Sequence, residues 1–340
     1  MDRILLLMMD LVYKGKMLKE YKNFKIIKEP KNTKNYLVTI AIGKKYYNSW
    51  EFAALPLWKE YCENNDIGII VFHQNLVSKD YFAWKKATWQ KLIIGTVLKE
   101  NNIEVENICY VDTDILINPY APNVFDGYDK NTIGVVSLRK NIPQPLNETL
   151  RREAFLRHTY YDNNYPLDSA LFTSTEDLYK YHNLEPQDNF FCAGFFIFNL
   201  QNHTELMKKM FDKYPSNVES ITGGGDQTHV NYEFLTYGHV SWFDYRFQAI
   251  WVYEMAWKYP FLYNYGKDNK ELIKECIEAS LYQNYFLHFA GSWHESDMWE
   301  IGGFFETKSE KEELKNYYEY LKQPVTGEPK GVLKPKKEQS

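Results

Sequence analysis

Asp112 and Asp114 stand two residues apart in ICYVDTDILINP, residues 108–119, directly behind four residues that favour burial. Carboxylates at i and i+2 of an extended chain point to one face, so both can close on one cation while Thr113 points away. Mg2+ and Mn2+ take such oxygen ligands, commonly one or two carboxylates completed by substrate phosphates. A cation there would neutralise a departing diphosphate. The plainer reading is a solvated strand end.

Three further groups carry candidate chemistry. In HFAGSWH, 288–294, His288 and His294 bracket Gly291 behind an apolar run. Neutral imidazole is a good metal ligand, a glycine lets backbone approach a phosphate closely, and His294 could donate to phosphate oxygens. His288 is equally readable as a hydrogen-bonded core histidine. In GGGDQ, 223–227, three glycines precede a helix start. Asp226 could face a ligand or cap the helix, and Gln227 has no local structural explanation. In WKKATWQKLIIG, Lys91 lies seven residues after Trp84 on one helical face. It is either a cation beside a diphosphate or a solvated lysine.

The elements around these residues follow from the spacing of apolar residues. NYLVTIAIG (35–43) and IGIIVFHQ (67–74) are continuous apolar runs with the character of buried strands. SWEFAALPLWKEYCENN has helical spacing, with Pro56 at a first turn or kink. DYFAWKKATWQKLIIGTVLKEN predicts a long amphipathic helix, and 106–117 a third strand carrying the two acids. Strand, helix, strand, helix, strand is the signature of a parallel sheet, whose ligands sit at the carboxyl ends of the strands. Residues 139–189 are polar and weakly periodic, an excursion of helices and loops. FFCAGFFIFNL (190–200), with its small Ala193–Gly194 step, predicts another buried strand, TELMKKMFDKY a helix, and GGGDQTHVNYEFLTYG a glycine loop entering a helix that ends at Gly238. VSWFD and NYFLHFAG predict further strands. Residues 1–34 read as an irregular or partly helical leader, and 324–340 as a disordered basic tail.

Composition bounds the rest. The chain has 340 residues, 44% hydrophobic and 25% charged, enough to bury a large core. No repeats and no clean linker are visible, so one domain is expected. A net charge of −5 with no basic stripe argues against nucleic-acid binding. The apolar run Ile4–Met9 is too short for a membrane span or a secretory signal. The four cysteines, Cys62, Cys109, Cys192 and Cys276, have no zinc or redox spacing. Both features point to a reducing, cytoplasmic setting.

Taken in order, ATWQKL, YVDTDILI, CAGFFIFNL, GGGDQ and HFAGSWH make residues 35–300 resemble the GT-A nucleotide-sugar glycosyltransferases. The likeness is greatest to the retaining family eight group of glycogenin and the bacterial lipopolysaccharide galactosyltransferases. The resemblance implies a Rossmann-like three-layer α/β/α fold with a central mostly parallel mixed sheet, one domain over 35–323, and 139–189 on the acceptor side. It implies transfer of a hexose from a UDP-sugar to a hydroxyl of a glycan acceptor, with Mn2+ (or Mg2+) as cofactor and retention of configuration. Asp112 and Asp114 match the metal-binding Asp-x-Asp, the first also near the ribose, and His288 the third metal ligand. Gly291 matches a glycine near the diphosphate. His294 stands where those enzymes usually have lysine. Lys91 matches a basic residue that contacts the donor, and Asp226 and Gln227 the acid–amide pair beside the transferred sugar. Cys192 replaces the usual asparagine before Ala193 and Gly194, so Asn189 is the expected substitute for its contact to the donor sugar. Ala41 to Tyr46 should hold the base, uracil.

Two other readings compete. YVDTDIL also resembles the start of a phosphatase-like fold with Asp112 as nucleophile. Against it, Leu116 stands where Thr or Val is usual, Val230 and Asn231 stand where an acid is needed, and two strand–helix units precede the motif. The chain could also bind nucleotide sugars or glycans without turnover. Inversion would need a general base, for which Asp226 and Asp188 are the candidates.

Overall fold

A computed structural model describes residues 12–13, 16–17, 19–161, 170–222, 225–291 and 293–323. The tail 324–340, most of the expected leader's first half, and Gly223 and Gly224 lie outside these residues. Residues Met1–Phe304 form one compact unit and Phe305–Ser340 another. The described part of the second is a helix, Lys308–Leu321, started by a capping box in which Thr307 and Glu310 satisfy each other's backbone N–H groups.

The first unit is built on an eight-stranded sheet. Its chain-ordered strands are β1 (Phe24–Lys28), β2 (Asn35–Ile40), β3 (Gly68–Phe72) and β4 (Asn107–Val111). A fifth strand, β5 (Ile115–Ile117), belongs to a separate sheet. The main sheet continues with β6 (Ile133–Val136), β7 (Phe195–Asn199) and β8 (Val240–Phe243). In space the order runs β8, β6, β7, β4, β2, β3, β1, with Lys19–Glu20 at the far edge. The second sheet places β10 (Phe286–His288) between β9 (Ala249–Ile250) and β5.

The centre of the main sheet is parallel, β2 with β3 and with β4, as the two strand–helix units require. The sheet is mixed, as expected. β8 pairs parallel to β6, whereas β7 runs antiparallel to both β4 and β6, and β1 antiparallel to β3. The expected leader is corrected by β1: Phe24 and Ile26 bury their side chains beside β3, so part of 1–34 belongs to the sheet.

Alternate residues of the central strands face opposite layers, and both sets are buried. Val38, Ile70, Ile108, Tyr110, Phe196 and Phe198 pack with Trp89, Leu92, Met207 and Phe211. These last residues come from the helical stretch after Lys86 and from helix Leu200–Lys213. On the other face Leu37, Ile69, Val71, Cys109 and Val111 are equally inaccessible. On that side helix Leu55–Asn64 reaches the second sheet, where the Trp58 indole donates to Ile115 O at 2.8 Å. Two covered faces make the three-layer α/β architecture.

Two elements differ from their expected form. The single long helix expected over 80–101 is a helical turn, Ala87–Gln90, a 3₁₀ turn, Lys91–Ile93, and a short helix, Ile94–Glu100. The strand expected over 106–117 breaks at Val111, and the chain changes sheets there. By contrast, the helix predicted to end at Gly238 does so, with that glycine in the left-handed region at φ 81°. The excursion over 139–189 holds helices Leu146–Tyr160 and Thr175–Tyr181, with 162–169 outside the described residues.

Candidate functional site

The two acids sit in the turn where the chain leaves one sheet for the other. Asp112 N donates to Gly194 O at 2.8 Å, extending the β4–β7 ladder by one step. Asp114 O accepts from Phe289 N at 3.0 Å, extending the β5–β10 ladder. Register places His288 opposite Ile115, next to Asp114. One carboxylate is thus anchored to each sheet. Their convergence comes from the turn, closed by Ile115 N on Asp112 O at 3.3 Å, and not from strand alternation.

Ligand atoms of Asp112, Asp114 and His288 all lie within 4.8 Å of one another. His288 is buried, and the two acids are half-buried. Asp114 Oδ1 is buried, has no well-formed hydrogen bond among the described residues, and faces His288 Nε2 at 3.4 Å. A buried carboxylate oxygen without a donor is costly unless a cation occupies the gap. Tyr110, two residues before Asp112, donates its hydroxyl to Asp112 Oδ1 at 2.5 Å and aims that carboxylate. A Cβ at Gly194 would lie 2.5 Å from His288 Cε1 and 2.6 Å from Asp112 Oδ2, so only glycine leaves the cradle open. Two carboxylates and an imidazole are a donor set that Mn2+ or Mg2+ accepts, with open positions left for other ligands.

The imidazole is held from behind. Gln248 Nε2 lies 3.1 Å from both Cys192 O and His288 Nδ1. In the neutral ring, donation to both sets the proton on Nε2, which faces Asp114 Oδ1 at 3.4 Å. A cation held by Nε2 would need the neutral ring, with Cys192 Sγ at 3.6 Å and Gln248 Nε2 at 3.1 Å on the Nδ1 side. Burial acts against the imidazolium, but the Cys192 sulfur and the Asp114 carboxylate outweigh it and raise His288 well above its ordinary value.

A second group adjoins the first. Lys91, expected to be either solvated or functional, is buried at 3% exposure. Its ammonium donates to Ala193 O at 2.8 Å, pairs with Asp226 at 3.0 Å and lies 5.1 Å from the centre of the Tyr110 ring. Burial lowers its affinity for the proton, yet Asp226 and Asp112 more than compensate and keep it a cation. Asp226 occupies the N-cap position of helix Gln227–Tyr237, but its side chain makes no cap bond and turns to Lys91 instead. Gln227 accepts from Ala193 N at 2.8 Å and donates to Phe191 O, so both ends of its amide are committed to the backbone. Asn231, one helical turn on, accepts from Phe191 N at 2.7 Å and donates to Phe191 O at 2.8 Å. Residues 191–193, still outside the strand proper, are thereby held by side-chain amides.

The remaining expected residues are distributed around this centre. Ala41 lines a cavity of about 250 Å³ at the carboxyl ends of β2 and β3, together with Lys25, Gly43, Tyr47, Asn48 and His73. Tyr46 is 63% exposed, and its neighbour Tyr47 supplies the ring instead, with the Lys25 ammonium 5.6 Å from its centre. Gly291 is exposed, with φ 125° that favours glycine. His294 is exposed, edge-on to Tyr161 at 5.9 Å. The next residue, Glu295, is docked by Arg157 of helix Leu146–Tyr160 at 3.0 Å. Asn189 lies in a different cavity beside Ser137. Asp188 is exposed and paired with Lys140 at 2.7 Å. Sequence reasoning missed Tyr110, which its i, i+2 spacing to Asp112 could have revealed. It also missed Gln248 and Asn231, which carry no local signal.

No family model matches the chain, and no curated protein matches it in sequence. Among solved structures it is similar to a glycosyltransferase involved in glycosylation of the major capsid of PBCV-1, at 11% identity over 78% of this chain and 98% of that one, TM-score 0.42. It is similar to the bifunctional glycosyltransferase WbbM at 12% identity, TM-score 0.43, over 84% of this chain and 52% of that one, about half its length. It is also similar to the galactosyltransferase LgtC in complex with donor and acceptor sugar analogues, at 14% identity over 85% of this chain and 97% of that one, TM-score 0.44. Likeness at this level does not assign the chain to a family.

Proposed function

We propose that the chain is a metal-dependent glycosyltransferase of the GT-A type that moves a hexose from a UDP-sugar to a hydroxyl of a glycan acceptor. The observation that carries this reading is the Asp112–Asp114–His288 cradle, its ligand atoms within 4.8 Å of one another, set where two sheets meet. Mn2+ or Mg2+ bound there would supply Lewis-acid neutralisation of the diphosphate oxygens. The cavity at Ala41 and Tyr47 is the place for the base, at the carboxyl ends of adjacent parallel strands.

The chain's own groups do the rest. Lys91 and Asp226 form a buried ion pair beside the cradle, and the ammonium is held there as a cation by Asp226 and Asp112. Gln227 and Asn231 fix the backbone at 191–193, and Lys91 fixes Ala193 O, so the donor sugar would meet a pre-set wall. Transfer breaks the bond from the anomeric carbon to the diphosphate oxygen and forms one to the acceptor oxygen, whose proton passes to the departing diphosphate. Both carboxylates weighed as a base for inversion are in ion pairs, Asp226 with Lys91 and Asp188 with Lys140, which supports retention. The phosphatase-like reading gains nothing, since Asp112 is aimed by Tyr110 into a shared cradle with an imidazole.

The test is a thermal-shift panel of UDP-, GDP- and CDP-sugars with and without Mn2+, followed by NMR of the first-formed product. UDP-sugars should stabilise the fold only with the cation, and the product should keep the donor's anomeric configuration. Equal shifts without the cation, or none for any nucleotide, would sink the reading.

A further inference from the structure

A second cavity, about 560 Å³, opens at the carboxyl ends of β6 and β8. Its size is that of a small-molecule site. None of the candidate metal ligands or the Lys91–Asp226 pair lines it.

Its lining is polar but electrically closed. Lys140 is neutralised by Asp188 at 2.7 Å, and Asp244 is held by Arg246 through two bonds, at 3.0 and 2.9 Å. A phosphate or nucleotide would find no spare cation among these groups. Trp242, on the edge strand β8, is 42% exposed, an unusual state for the largest side chain on a described sheet edge. Opposite in character is Asn189, 3% exposed. Its Oδ1 accepts from Ser137 Oγ at 2.7 Å and from Phe190 N at 2.8 Å. The backbone donor settles which amide atom is oxygen. The Nδ2 donors are left without a protein partner among the described residues, in a side chain that lines the cavity. Ser137 is itself fixed, accepting from Arg139 N and Lys140 N at 3.0 and 2.8 Å, so the amide is pre-positioned. A flat apolar face, an amide donor with no protein partner among the described residues and charges that are paired fit an uncharged ring bearing hydroxyl groups.

We infer that this cavity binds a neutral sugar ring, stacked on Trp242 and accepting from Asn189 Nδ2, as an outer part of the acceptor glycan. The acceptor role rests on the glycosyl-transfer reading; the ligand class rests on the lining alone. Asn189 is five residues before Gly194, so at about 3.3 Å per residue the two are at most ~17 Å apart. A short oligosaccharide spans that distance, with one end in the cavity and the other at the cradle.

The test is saturation-transfer NMR on the full chain with neutral disaccharides of glucose, galactose, mannose and N-acetylglucosamine, each at millimolar concentration without cation or nucleotide. At least one should receive saturation. Trp242→Ala should weaken it by about tenfold, and Trp242→Phe should retain most of the binding, at unchanged melting temperature. Absence of any Trp242-dependent disaccharide signal overturns the proposal, as does binding confined to sialylated or phosphorylated sugars. Disaccharide binding alongside a failed nucleotide-sugar panel upholds the ligand class and overturns the acceptor role. A successful panel with no disaccharide signal removes the cavity and leaves the transferase.

Discussion

A single oxygen atom concentrates the chemistry of this protein. Asp114 Oδ1 is buried, has no well-formed hydrogen bond among the described residues, and faces an imidazole nitrogen at 3.4 Å. Asp114→Asn keeps the shape of the side chain and removes its charge. It should abolish the Mn2+-dependent part of UDP binding in calorimetry and lower the proton affinity of His288, which loses the carboxylate that faces its Nε2. Tight cation-dependent binding by that variant would return the acids to a solvated turn. Lys91 and Asp226 are the opposite case, a buried pair in which removing one partner strands the other's charge, at a cost of about 3–5 kcal/mol. Their variants therefore report on stability before they report on donor binding.

At the scale of elements, the site is a junction. β4 and β7 bring Asp112 to Gly194, and β5 and β10 bring Asp114 to His288. Gly194 is the point where the two ladders come closest, and its missing side chain is what keeps the junction open. Gly194→Ala should abolish cation-dependent UDP binding in the same thermal-shift assay, because the new methyl overlaps His288 and Asp112. It should still fold, since neither obstructing side chain lies in the helix–sheet core. Cation binding of native strength in that variant would show that the junction relaxes and that the cradle is not built as described.

Over the whole molecule, pH dependence follows from buried histidines remote from the cradle. His229 packs against Trp89, Tyr214 and His182, and burial, aided by His182 and Lys213, lowers it from 6.5 to about 4. The folded chain keeps it neutral while the unfolded chain protonates it more readily. Its contribution to stability is therefore complete above about pH 6.5 and is lost as pH falls toward about 4. His229→Phe preserves an aromatic ring without the titration, so its melting temperature should fall less steeply over that window. Parallel curves for the two proteins would refute the assignment. No helix among the described residues is long and apolar enough to cross a membrane.

Much was legible in the linear chain. The apolar runs within 35–43, 67–74 and 106–117 pointed to buried strands, and the helices between them to parallel pairing, although the third strand ends at Val111. The Asp-x-Asp pair behind such a strand, and a histidine behind another, marked the candidate ligands, because charge next to burial is costly unless it is used. What the chain could not announce was everything that depends on groups far apart in sequence. The register of β7 against β4 opposes Gly194 to Asp112. The break that sends β5 into another sheet sets Asp114 beside His288. The turn of Asp226 away from its helix toward Lys91, and the emptiness beside Trp242, belong to the same class. Local spacing reports which face a residue takes, but only the assembled fold decides what stands opposite that face.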